Sequence, residues 1–137
     1  MRYLAIDYGE KHIGLAICDP GEMIASPLSV LTGRQENLIA KIADIIKFEN
    51  AEAVVLGLPL NMDDTAGYQA KRVHNFAERM KQHIDIPIYL HDERLSSFDA
   101  EKKLAGVGLT RKKKKKHLDA VAAASILQSF LDKKHHR

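Results

Sequence analysis

The sequence predicts an α/β protein in which a five-stranded mixed sheet is flanked by helices, and three observations carry that prediction. Three short apolar runs, "RYLAIDY", "HIGLAIC" and "MIASPLSVL", stand close together with only "GEK" and "DPGE" between them. From Glu36 onward the apolar spacing changes to three and four residues, which is the helical period. Beyond that point strands and helices alternate, an order that favours parallel pairing with helices on the sheet faces.

The elements follow in order. The first three runs read as an antiparallel meander, with Gly9 in the first turn. Pro27 lies inside the third run and cannot donate to a ladder, so that strand belongs at an edge or contains a break. Leu38, Ile39, Ile42, Ile45 and Ile46 form one face of a helix. "AVVLGL" is a compact fourth strand, and the loop "PLNMDDTAG" follows it. Val73, Phe76, Ala77 and Met80 give a second amphipathic helix over about Gln69 to His83. "IPIYLH" is the fifth strand, ending at Asp92-Glu93-Arg94. Ser96 and Asp99 form a weak capping box for a helix starting near Ser97, which Gly106 and Gly108 end. The last helix is expected from about His117 to Asp132, with Leu118, Val121, Ala122, Leu127, Phe130 and Leu131 inward, and residues 132–137 are expected to fray.

At 137 residues the chain fits one domain, 1–137, with a real core. An apolar fraction of 45% against 28% charged excludes a disordered chain. No stretch approaches the roughly 20 apolar residues of a membrane span, and charge enters too early for a signal peptide, so a cytoplasmic location is expected. Cys18 is the only cysteine, which excludes an internal disulfide and a multi-cysteine zinc site. The net charge of +3 is unevenly held. Without the six cations Arg111, Lys112, Lys113, Lys114, Lys115 and Lys116, the 21 Lys and Arg fall to 15, below the 18 Asp and Glu. Such a cluster is the footprint of a phosphate-rich partner, although a solvated segment has the same composition.

Three carboxylates attract attention. Asp7 ends an apolar strand just before Gly9, Glu93 follows the fifth strand, and Asp119 is expected in the first turn of the last helix, beside alanines small enough to let that helix approach the sheet. Taken singly, each has a plainer role: a turn residue, a member of a surface ion-pair cluster, a helix cap or dipole partner. Together they could converge at strand ends, where sites gather in open sheets. Converging carboxylates raise one another's pKa unless cations share the site. An oxygen ligand set without cysteine favours Mg²⁺ or Mn²⁺, and two such ions about 4 Å apart can clamp both the attacking and leaving oxygens of a phosphodiester.

"AIDYGEKHIGLAICD" (5–19), "VVLGLPLNMDDTAG" (54–67), "HDERLSS" (91–97) and "RKKKKKHLDAVAAASILQSFL" (111–131) resemble the four signature blocks of the YqgF family, also called RuvX and described as Holliday junction resolvase-like. The resemblance spans nearly the whole chain, in the family's order. It implies a ribonuclease H-like fold, with which the element order agrees, and a metal-dependent nuclease, a hydrolase acting on ester bonds. It carries the acidic trio onto Asp7, Glu93 and Asp119 as catalytic and metal-binding residues, with Asp92 a less secure neighbour. The implied substrate is the 5' end of the precursor of 16S ribosomal RNA; branched DNA is the alternative, and fold cannot choose. The chain departs from the family's pattern at His12, where Arg is common, and at Asp64, where Gly is common.

Around the trio, Arg94 could hold a phosphate, with a structural ion pair as the plainer role. Lys11 in the first turn, Asn61 and Thr65 in the loop after the fourth strand, and the 111–116 cations complete the expected nucleic-acid contacts. Aromatics are only 6%, so base stacking is poorly supported and phosphate contact is favoured. Two other classes compete. The first block also resembles the phosphate loop of actin-like and sugar-kinase ATPases, but those enzymes need a second domain. A non-catalytic RNA-binding module would need only the basic cluster, and metal-dependent cleavage that disappears in Asp7→Asn separates it from a nuclease. Either a monomer or a homodimer fits, since two-fold branched DNA calls for a dimer and RNA end-trimming does not.

Overall fold

The computed structural model describes residues 1–32, 37–61, 63, 67–95 and 111–137, with backbone alone over 111–117. Strands β1 (Tyr3–Tyr8), β2 (His12–Cys18) and β3 (Ala25–Thr32) precede helix α1 (Leu38–Phe48), strand β4 (Ala53–Leu58), helix α2 (Tyr68–Lys81) and strand β5 (Ile88–Asp92). A single 3₁₀ turn, Glu93–Leu95, follows β5, and α3 (Arg111–His135) is the last element. The sheet order is β3-β2-β1-β4-β5. β1, β2 and β3 pair antiparallel, whereas β1-β4 and β4-β5 pair parallel, so the sheet is mixed as expected.

Pro27 has both consequences expected of it. β3 is an edge strand, and its register against β2 slips between Leu15 and Ala16, where Leu28 becomes the extra residue. The expected helix near Ser97, with Ser96, Asp99, Gly106 and Gly108, lies outside the described residues, as do Asp64 and Thr65.

Alternation along the strands sends side chains to two different cores. Leu4, Ile6, Ile13, Leu15, Val54 and Leu56 pack with Leu38, Ile39, Ile42 and Ile46 of α1 and with Val73, Phe76, Ala77 and Met80 of α2. The opposite face is built from smaller residues: Ala5, Ala16, Ala53 and Val55 meet Ala123, Ala124, Ile126, Leu127 and Leu131 of α3. Small side chains on both partners bring this helix close to the sheet. The closest approach is at β2, where a Cβ added to Gly14 would stand 1.9 Å from the Asp119 carbonyl oxygen.

Two expectations about α3 are corrected. The helix begins at Arg111, not near His117. Lysine and arginine are good helix formers, and no glycine or proline interrupts the run, so propensity prevails over like-charge repulsion. Asp119 therefore lies in the third turn and is not a first-turn dipole partner. At its other end the helix runs to His135, Lys134 reaches the Glu22 carboxylate and donates to the Tyr3 hydroxyl at 2.9 Å, and Arg137 donates to the Glu22 carbonyl at 2.8 Å.

Candidate metal-dependent nuclease site

The residue that defines the site is Asp7. In β1 it follows Tyr3 and Ala5 by two-residue steps, so it faces α3, and its register partner is Gly14. The Asp119 backbone lies directly above Gly14, and its carboxylate is near enough for its charge to act on Asp7. Glu93 arrives from the other side. It continues the alternation of His91 past the end of β5, and its Oε2 lies 3.5 Å from where a Gly57 Cβ would be. Gly57 occupies the middle strand, β4, and its missing side chain makes room for both Glu93 and Ile126. Two glycines in strand interiors thus clear the ground on which three acids meet.

Electrostatics records the convergence. Burial first, then the charges of Glu93 and Asp119, raise the Asp7 pKa to about 7. Glu93 is also raised, by burial and then by Asp92. A cation would relieve this repulsion, and the donors are all hard carboxylate oxygens, so the trio fits Mg²⁺ or Mn²⁺ in chemistry. Among the described residues, no three His, Cys, Asp or Glu side chains are drawn together tightly enough to hold an ion as they stand.

Asp92 has a separate role. Arg94 donates from Nε to both of its oxygens, at 3.0 and 3.1 Å, and from Nη2 at 2.7 Å, and this hydrogen bonding holds the Asp92 carboxyl below its ordinary range. The same guanidinium donates from Nη1 to the Asn61 carbonyl at 2.7 Å. Arg94 therefore ties the β5 end to the loop after β4, the structural ion pair weighed in the sequence. Asn61 stands beside Gly67 in that loop, and Lys11 is exposed in the β1–β2 turn. The backbone of residues 111–116 forms the first turns of α3, leading directly towards Asp119.

Three residues at the site were not assigned to it from sequence. His12 Nδ1 lies 3.7 Å from Asp119 Oδ2; the sequence marked it only as a departure from a common Arg. Gly14 passed unnoticed, although a glycine inside an apolar strand is itself a signal of close backbone approach. His91 is buried under Phe130 and shares a 2.9 Å hydrogen bond with Ser129, bracing β5 against α3 beside Glu93.

Known proteins resemble the chain over nearly its whole length. The profile of the family described as "RuvX: Holliday junction resolvase" matches residues 1–133. A protein of Maridesulfovibrio salexigens that carries the name "Putative pre-16S rRNA nuclease" is 40% identical over 132 residues, covering 96% of this chain and 98% of that one. A relative of the same name from Anaeromyxobacter sp. strain Fw109-5 is 42% identical over 136 residues, covering 98% and 99%. Among solved structures, Thermus thermophilus RuvC in complex with a Holliday junction superposes with a TM-score of 0.60 at 16% identity, covering 98% of this chain and 96% of RuvC. That likeness shows the ribonuclease H-like fold.

Proposed function

The chain belongs to the RuvX family, and on that premise we propose that it is a nuclease that hydrolyses phosphodiester bonds and matures the 5' end of pre-16S ribosomal RNA. The observation that carries the reading is the meeting of Asp7, Glu93 and Asp119 on one face of the sheet, each delivered by a different part of the chain. These three would hold divalent ions, Mg²⁺ or Mn²⁺. When bound, the ions supply activation of the attacking water and neutralisation of the leaving oxygen.

The protein's own residues do the rest. Asp7 is fixed by the central strand β1, so its position is set by the sheet ladder and not by a loop. Asp119 is fixed by the approach of its carbonyl to Gly14. Arg94 keeps the Asp92 carboxylate engaged, while Glu93 stands beside Gly57 on the α3 face. The cations from Arg111 to Lys116 would attract the phosphate backbone along the helix that carries Asp119. A ribosomal RNA precursor as substrate goes with a cytoplasmic location. Among the described residues, no helix is long and apolar enough to cross a membrane.

Cleavage of a pre-16S 5' end and of a four-way DNA junction, each in Mg²⁺ and in Mn²⁺, tests the reading. Cutting of the RNA that is lost in EDTA and in Asp7→Asn is expected. Cutting of the junction alone would transfer the assignment to branched DNA, and metal-independent binding without cleavage would leave an RNA-binding module.

A further inference from the structure

The nitrogen beside the carboxylates has no part in the function proposed so far. His12 opens β2 on the face that α3 covers, two residues before Gly14, and its backbone is fixed because Gly9 N–H donates to its carbonyl at 3.1 Å. From there the ring presents Nδ1 to Asp119 Oδ2 at 3.7 Å. That is too long for a hydrogen bond. It is within the span of one ion: with metal-ligand bonds of about 2.1 Å, neighbouring ligands of an octahedron stand about 3.0 Å apart and opposite ones about 4.2 Å, and the observed separation falls between the two. The ring is half-buried, so it can reach an ion without giving up a place in the core.

We propose that His12 is a nitrogen ligand of the carboxylate centre and biases it towards Mn²⁺ over Mg²⁺. The inference rests on Asp7, Glu93 and Asp119 forming that centre. Its chemical basis is that imidazole is a poor partner for Mg²⁺, which prefers oxygen and keeps its waters, whereas Mn²⁺, a larger transition-metal ion although the weakest binder of its series, accepts one nitrogen among oxygen ligands more readily. An Arg at this position would have no lone pair to offer and would add charge instead.

The experiment uses the full-length protein loaded with Mn²⁺. Electron spin-echo spectroscopy reads nitrogen bound to the ion, and calorimetric titration reads Mn²⁺ and Mg²⁺ affinities. The wild type should show modulation from a directly bound ¹⁴N that His12→Gln and His12→Ala lose, and its preference for Mn²⁺ over Mg²⁺ should exceed theirs by about tenfold. His12→Gln retains size and polarity, so the comparison survives if the alanine variant folds poorly. Mn²⁺ held without nitrogen modulation, in a protein where Asp7→Asn abolishes binding, would overturn the role of His12 and leave the carboxylate centre standing. Mn²⁺ bound equally well by Asp7→Asn would overturn the centre itself, and the proposal with it.

Discussion

Asp7 stores the electrostatic tension of the site. An aspartate in an unfolded chain titrates near 3.8, and this one titrates near 7 because burial and two further carboxylates oppose its charge. Between those values the metal-free folded protein holds more protons than the unfolded chain, so its stability falls as pH rises through the window. Asp7→Asn removes the charge. In EDTA, urea denaturation should therefore find the variant more stable than the wild type at pH 8, by on the order of 2 kcal/mol, with the difference shrinking towards pH 4.5. A wild type equally stable at both pH values would show that Asp7 is not under this strain. Gly14 is the complementary case. Gly14→Ala would place a methyl group 1.9 Å from backbone oxygen, which cannot rotate away, so α3 must lift from β2. The expected cost is about 2 to 3 kcal/mol in denaturant melts, together with weaker Mn²⁺ binding. Gly57→Ala should cost less, because Ile126 Cδ1, 2.7 Å from the new carbon, ends a flexible side chain. Asp7 stands out in the sequence because a carboxylate in an apolar run demands an explanation, whereas Glu93 and Asp119 are joined to it by their places at a strand end and beside small alanines and by the family resemblance. Gly14 was not legible, since its reason is a helix contributed by the far end of the chain.

At the level of elements, period-two alternation and Pro27 made the meander and its edge readable, and the three- and four-residue spacing did the same for α1 and α2. The start of α3 was misjudged because six like charges read as solvated chain, while the backbone answers to propensity. The correction has a functional consequence. With residues 111–116 helical and continuous with Asp119, the backbone of the basic run is held in a fixed relation to the acids and is not a separate tether. Changing Lys112, Lys113, Lys114, Lys115 and Lys116 to Gln keeps helix propensity nearly constant and removes only charge. Substrate binding should weaken, and the slope of log affinity against log salt should flatten by roughly 0.7 to 0.9 for each phosphate that is no longer neutralised. An unchanged slope, measured by filter binding from low to high salt, would remove the run from the interface.

For the whole molecule, the issue is what holds α3 in place, since that helix carries both the third carboxylate and the basic run. Its site end is fixed by the close approach to Gly14 and by Ala120, Ala123 and Ala124, all buried. Its other end is fastened to the β2–β3 turn. Glu22 there takes a left-handed backbone (φ 59°), unusual for a residue with a side chain, while Asp19 accepts from the backbone N–H groups of Gly21, Met23 and Ile24. The turn so shaped faces Lys134, His135 and the N-terminal amine at the Glu22 carboxylate and Arg137 at its carbonyl. These ion pairs are largely solvated, and each contributes well under 1 kcal/mol. Ending the chain after Asp132 removes the interactions of Lys134, His135 and Arg137 together and should lower stability by about 1 to 2 kcal/mol. Lys134 lies about 22 Å along the helix from Asp119, and the buried alanines and leucines between them remain. Near-normal cleavage per folded molecule at low temperature is therefore expected, alongside faster hydrogen exchange confined to the last turns of α3. If cleavage collapses while the protein stays folded, the C-terminal fastening, and not the approach to Gly14, sets where Asp119 stands.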